Sequence, residues 1–567
     1  MTTIKLKNGS GAPAASDLVQ GEPALDLTNK RLYTENASGA VIEIGTSPST
    51  IDINAGTIDG TAIGGSTAAA GAFTTLTASS NVSFDGGTIK LDGNYPTGSY
   101  NVALGNTAFD AVTSGDYNTA VGHEALTSMT EGSNNTAVGS NSLRTVTTGT
   151  NNTGFGQASL YELTTGSYNI AVGRGSLQNT TTASYNTAVG HEALNDNTTG
   201  TYNTAVGSTA MGVSTTGSYS VAVGSLALED VTTGNHNVAM GYGAGQTLTT
   251  ADGNVHIGSY AGRQSTAGYQ IAIGYACMYS TTTAVNNVGI GTSSLYNTTT
   301  GSNQVAVGYS ALQNNTTGYS NTAVGYAALT ANTTGIANVA VGYQALEEQT
   351  TPNFNVAVGY QAGTSTTTGA DNTYLGTYAG YTNSAGIRNV HIGYTAAYNS
   401  NSSYNVCIGY QAGDSITSGV NLTVVGYDAD ASSASASNEV TLGNASIATL
   451  RCNTQTISAL SDERDKDNIQ NLGNASDFIK ALRPVSFNWN QRDGGRVGDP
   501  DHGFIAQELQ AAQEKTGWHV PRLVFDANPE KLEASYATLL PSVVSALQEA
   551  LAEIESLKAQ VAELSGD

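Results

Sequence analysis

Charge is scarce in this chain, and positive charge is scarcer still. Of its 567 residues only 11% are Asp, Glu, Lys or Arg, and 20 basic residues against 44 acidic ones leave a formal net charge of −24. With no basic patch to offset that balance, the chain repels nucleic acid and anionic membrane surfaces, so neither is expected as a partner. The three cysteines, Cys277, Cys407 and Cys452, are odd in number and far apart, which argues against a disulfide framework. No apolar run approaches the roughly 18 residues of a membrane span, and the opening Met1-Thr2-Thr3-Ile4-Lys5-Leu6-Lys7 lacks the apolar core of a signal peptide. Synthesis and assembly in a cytoplasm, without membrane insertion, are therefore expected. Seven histidines beside 67 glycines is not the balance of a globular enzyme. It suits a fibrous β-protein.

What the chain does have is one phrase, Asn-x-Ala-Val-Gly, returning through residues 101–446. The glycines that close it run from Gly105 to Gly443, and of their 20 intervals 18 are 17 residues long and two are 16. Such a period reads as stacked coils, each burying its apolar face against its neighbours. The residue before the glycine is nearly always bulky and apolar (Val121, Val138, Phe155, Met240, Leu375) and is expected to point inward. Four residues before the glycine stands Asn (Asn118, Asn135, Asn152, Asn203, Asn338), whose amides, stacked at roughly 4.8 Å, can form a hydrogen-bonded ladder. The glycine itself is expected to turn a corner at positive φ or to admit a neighbouring backbone. A second apolar slot follows four residues later (Leu126, Leu143, Leu160, Leu194, Leu346), and a Thr-Thr-Gly run supplies another turn. Two short strands per coil are expected. Because each coil buries so little, three solenoids packed side by side, with Val, Leu and Tyr on the axis, are expected to be more stable than one. About 21 coils at roughly 4.8 Å give a shaft on the order of 100 Å.

These phrases closely resemble the head domain of trimeric adhesins, and the resemblance implies a left-handed parallel β-roll and a homotrimer. A surface adhesin, however, needs an export signal and a C-terminal membrane barrel, and neither is found here. A virion fibre assembled inside its host needs neither.

Before the shaft, residues 1–46 read as a small β-module with strand-like Thr3–Lys7, the turn Asn8-Gly9-Ser10-Gly11, and the runs Gly21-Glu22-Pro23-Ala24 and Asn29-Lys30-Arg31-Leu32-Tyr33. Their order resembles the N-terminal module of phage tropism-determinant and tail-fibre proteins, which implies attachment to a tail or baseplate protein of the virion. Residues 47–100 form a Gly, Ala and Thr-rich connector.

After Gly443 the composition changes abruptly, with a junction at 447–460 and a charged, partly helical segment at 461–567. The order Leu460-Ser461-Asp462-Glu463-Arg464-Asp465-Lys466, Ala481-Leu482-Arg483-Pro484, Phe487-Asn488-Trp489 and His502-Gly503-Phe504 closely resembles the endosialidase-type intramolecular chaperone of phage tailspikes and tail fibres. That resemblance implies a domain that directs trimer folding and then cuts itself off, with Ser461 as nucleophile and Lys466 as its partner. A serine hydroxyl attacks only when a base takes its proton, and lysine serves as that base only when burial lowers its pKa. Attack by Ser461 on the preceding carbonyl closes a five-membered ring, which favours the Leu460–Ser461 bond, although the sequence leaves the Ser461–Asp462 side open. The plainer alternative is that Ser461 caps a helix ahead of a solvated charged turn.

Leu540, Val543, Leu547, Ala550, Ile554, Leu557, Val561 and Leu564 alternate spacings of three and four, an a/d seam that predicts a trimeric coiled coil over 540–564. One amphipathic helix on a globular domain explains the same pattern. No cofactor and no metal are expected. His256 and His391 occupy the same slot of Asn-Val-His-Ile-Gly and read as ladder substitutions, and His123 and His191 lie four coils apart.

The fold expected is thus mainly β: a homotrimeric fibre with a repetitive parallel β-roll shaft of 17-residue coils, then a small α+β chaperone domain ending in a coiled coil. The function expected is a phage tail fibre of the virion that attaches to a host surface receptor, glycan or protein. The outer tyrosines Tyr309, Tyr326, Tyr343, Tyr360, Tyr394 and Tyr410 are candidates for that contact, or for structural ladders. A depolymerising tailspike and a cell-surface adhesin are the alternatives.

Overall fold

Each shaft coil contributes a single short strand, and the position of its asparagine decides which side chains enter the coil. The computed structural model describes residues 99–447, 450–451, 461–490, 497–526 and 532–566, with residues 7–9, 12–14, 16, 20, 22–26, 28, 31–38 and 40–43 near the N-terminus. The chain divides into two units, Met1–Ile89 and Lys90–Asp567. In the second, 21 strands run from Val102–Leu104 to Glu439–Leu442. Each pairs in parallel and in register with those of the adjoining coils, as Thr119, Ala120 and Val121 do with Thr136, Ala137 and Val138. The result is a parallel β-solenoid with the 17-residue spacing.

The asparagine ladder is present inside it. The backbone N–H of Asn135 donates to Asn118 Oδ1 at 2.9 Å, and Asn135 Nδ2 donates to Asn118 Oδ1 at 3.3 Å and to the Gly149 carbonyl at 2.9 Å. With Asn118 turned in, strand alternation turns Thr119 out, Ala120 in and Val121 out. The expectation that the residue before the glycine points inward is therefore wrong for the single chain: the interior residue is the strand's central alanine. Phe155, at 56% exposure, and Leu375, at 46%, stand outside.

The second expected strand is also absent. After the corner, Glu124 (φ 55°) and Leu126 (φ 51°) are left-handed, as is Tyr117 (φ 58°) ahead of the strand. Extended pairing cannot pass through such residues, and the coil closes by turns whose N–H groups reach the next coil, Leu126 N to Ser142 O at 3.1 Å for example. The buried slot is consequently filled by Leu, Met, Phe, Ala or Gly and never by Val or Ile, since branching at Cβ disfavours positive φ. At the corner, Gly122 has φ 134°, and a Cβ there would lie 2.5 Å from the Gly139 carbonyl oxygen, so both expected reasons for glycine hold.

Three coils place a ring where alanine normally sits: His256, Tyr374 and His391, all fully buried. Glycine in the leucine slot makes the room. A Cβ on Gly262 would come within 2.5 Å of the His256 ring, and one on Gly363 within 2.5 Å of Tyr374. Volume is thus conserved within each stack of coils. The two 16-residue coils keep the strand register, with Val255 opposite Ile271 and Val390 opposite Val406.

In the N-terminal unit, Lys7–Gly9, Ala24–Asp26, Arg31–Glu35 and Val41–Glu43 form a four-stranded sheet in chain order. The first pair is parallel and the others antiparallel. Asn8 and Gly9 lie in a strand, not in the expected turn, because they pair with Leu25 and Asp26. The expected strand residues 3–6 and the connector residues 47–98 lie outside the described residues.

The C-terminal segment contains helix α1 (Ser476–Ala481), a hairpin of Val485–Asn490 with Val497–Gly503, α2 (Ala506–Thr516), a short pair Val524–Phe525 with Glu533–Ala534, and α3 (Leu540–Ser565). Phe478, Leu509, Leu523 and Leu539 form its core. The first turns of α3 are tied to that core: Trp518 Nε1 donates to Ser542 Oγ at 3.1 Å, and Ser545 Oγ donates to the Gly473 carbonyl at 2.8 Å. No described helix is long and apolar enough to cross a membrane.

Candidate functional site

A tight 3-10 turn at Glu463–Asp465 brings Ser461 and Lys466 together. Asp462 accepts from the Arg464 backbone N–H at 2.9 Å and takes the N-cap position. The Arg464 guanidinium, bonded to both oxygens of Asp462, holds that carboxyl below its ordinary range. Asp462, and not Ser461, is therefore the cap, and the serine hydroxyl is left for another partner. That partner is Lys466, whose Nζ donates to Ser461 Oγ at 2.6 Å and approaches the Ser461 carbonyl at 3.4 Å.

Distance and pairing match what a serine–lysine nucleophile requires, but here the amine donates to the hydroxyl. For the hydroxyl to attack, a neutral amine must accept its proton. Desolvation brings lysine to that form, and both residues are exposed in the single chain. Leu460 lies outside the described residues, as does the carbonyl that Ser461 would attack.

Residues 461–518 match the family described as chaperone of endosialidase. No curated protein and no solved structure matches the chain. The matched stretch begins at Ser461 and takes in the Ser461–Lys466 pair, α1, the hairpin and α2. An endosialidase-chaperone segment behind a long β-solenoid fits a phage tail-fibre or tailspike-like protein.

Helix α3 spans the whole expected seam. Leu540, Val543, Leu547, Ile554, Leu557, Val561 and Leu564 are all solvent-exposed in the single chain, and Val544 and Leu551, which the three-four spacing passes over, are exposed with them. Beyond its anchored first turns the helix therefore presents an apolar stripe with no partner among the described residues.

On the shaft, Tyr309, Tyr326, Tyr343 and Tyr360 stack with ring centroids 5.1 Å apart and planes within 10°. Tyr394, Tyr410 and Tyr427 also stack, at 5.2 and 5.3 Å with planes within 14°. Stacking covers the ring faces, the surfaces a sugar would use, and leaves edges and hydroxyls. A second ladder, Tyr168, Tyr185, Tyr202, Tyr219 and His236, lies on the other side of the strand, just ahead of the asparagine. Sequence reasoning missed it, although five aromatic residues at 17-residue spacing were there to be found. A cavity of about 170 Å³ is lined by Glu192, Asp196 and Glu229 among others. Among the described residues no cluster of three or more metal-binding side chains occurs.

Proposed function

We propose that this chain is a phage tail fibre, a homotrimeric structural and host-attachment protein of the virion. Its N-terminal module joins a tail or baseplate protein, its shaft projects toward the host, and its C-terminal segment directs trimer folding and is then released by one self-cleavage at Ser461. The observation that carries this reading is the chaperone match starting at a serine already hydrogen-bonded to Lys466. The outward faces of the shaft strands support the trimer. Val, Ile, Leu, Met, Phe and Thr fill them with no charged residue from Val102 to Leu375, and a monomer rarely leaves so long an apolar stripe in water.

In the proposed reaction, trimer assembly buries Lys466 and the neutral amine accepts the Ser461 hydroxyl proton. The oxygen attacks the Leu460 carbonyl carbon through a five-membered ring, and the C–N bond breaks as the departing amine takes up the proton. Water then hydrolyses the resulting ester, leaving a Leu460 carboxylate and a free Ser461 amine. Intact-mass measurement of the wild type beside Ser461→Ala and Lys466→Ala tests this. The expected wild-type fragment is roughly 11 to 12 kDa, at about 110 Da per residue, and is absent from both variants. An uncut wild type that still forms trimers overturns the cleavage.

The carboxylates around the shaft cavity favour a second reading, a tailspike that cleaves host polysaccharide with Glu192, Asp196 or Glu229 as acid and base. Capsular polysaccharide that keeps its chain length on incubation with the trimer removes it.

A further inference from the structure

The apolar core of the shaft is not continuous. One cluster of buried residues ends at Leu248, the next runs from Ala261 to Ala379, and the third starts at Ala397. The breaks fall on two coils, and each carries a histidine in the central strand position, His256 and His391. Those same two strands precede the only 16-residue intervals of the array, Gly258 to Gly274 and Gly393 to Gly409. Both rings are fully buried, and neither ring nitrogen of either histidine has a hydrogen-bond partner.

We infer that these two coils are acid-sensitive joints, at which protonation of a buried imidazole opens the shaft locally while the coils on either side stay closed. The groups facing each ring supply no compensating charge. Around His256 they are Ala239 and Ala272 on the adjoining strands, with Leu228, Gly245 and Gly262 in the turns. Around His391 they are Tyr374, Cys407 and Gly380. Tyr374 and Cys407 can titrate, but burial pushes the phenol up and the thiol up to about 12, so both are neutral in acid. An imidazolium in either place is a charge without a partner, the costliest group to bury.

Burial lowers the folded-state pKa of His256 to about 4 and of His391 to about 3, against about 6.5 in an opened coil. A lowered base is neutral in both states above about pH 6.5, where opening does not depend on pH. Below it the open coil takes up the proton first. Opening then rises about tenfold per pH unit and levels off only below the folded values.

Hydrogen exchange of the full-length protein, read by mass spectrometry at about pH 7 and pH 5 and corrected for intrinsic rates, tests the inference. Peptides covering residues 254–274 and 389–409 are expected to gain about tenfold or more over flanking coils in acid. In His256→Ala/Gly262→Leu, which restores the usual alanine and leucine, the gain disappears at the first joint and persists at the second. Equal exchange across all coils, or a gain that survives at the first joint of the double variant, overturns it. Should that variant misfold, C2-proton exchange of the histidines in the unmodified protein decides. His256 and His391 should titrate at least one pH unit below the roughly 6.5 of a free imidazole, and midpoints at that value defeat the inference.

Discussion

The shaft and α3 are both repetitive and both rich in apolar residues, yet one completes its interior within a single chain and the other does not. In most shaft coils the alanine, leucine and asparagine that turn inward meet their counterparts 16 or 17 residues away, and these side chains are fully buried. In α3 the seam residues Leu547, Ile554 and Leu557 remain about half exposed, with no described residue of the chain covering them. A helix has one apolar stripe and needs a second element to cover it, whereas a solenoid coil covers its own. Under the proposed trimer this difference becomes a division of labour, the shaft supplying stability and the helix the count and alignment of chains. Nearly identical coils can slip past one another between chains, and a coiled coil at one end fixes where winding begins.

That contrast can be broken most forcefully at the corner. Gly224→Val places a Cβ against the Gly241 carbonyl, at a residue with φ 131°, and nothing in the stack can move aside. It is expected to cost more than about 4 kcal/mol, read as loss of soluble protein or collapse of the thermal transition. Leu557→Glu should leave the coils intact by circular dichroism while chain association, measured by sedimentation, weakens at least about tenfold for want of one buried leucine. If association is unchanged, the helix is not the clamp. Asn203→Ala removes the acceptor for the Ser220 N–H and the donor to the Gly217 carbonyl, and a loss of about 1–3 kcal/mol is expected in denaturant unfolding. The smallest effect belongs to the outer ladder. Tyr326→Ala breaks two stacked contacts and should lower stability by no more than about 1.5 kcal/mol.

Much of the candidate site was legible because it is local. Ser461 and Lys466 are five residues apart, a distance that one turn closes. What the sequence could not assign was the role of each neighbour. Ser461 and Asp462 are both good N-caps, and only the backbone geometry gave the cap to Asp462.

In the shaft the error has a different origin. Hydrophobicity placed Val121 inside and left Ala120 undecided, but where a leucine fills the following slot the strand centre has room for little more than a methyl group, so the larger apolar residue goes outside. The pairing of His256 with Gly262, and of Tyr374 with Gly363, escaped notice because the members sit in different slots, and only their shared space connects them.

The sequence by itself determined the coil length, the asparagine ladder, the corner glycines, the long C-terminal helix and the Ser–Lys spacing, since each depends on residues at fixed short separations and on the backbone geometry that those residues permit. Tertiary structure alone decided which face of each strand is interior, that one strand and not two forms per coil, and where the core is interrupted. These depend on how much volume a closed coil encloses, and that volume exists only after the chain has wound onto itself.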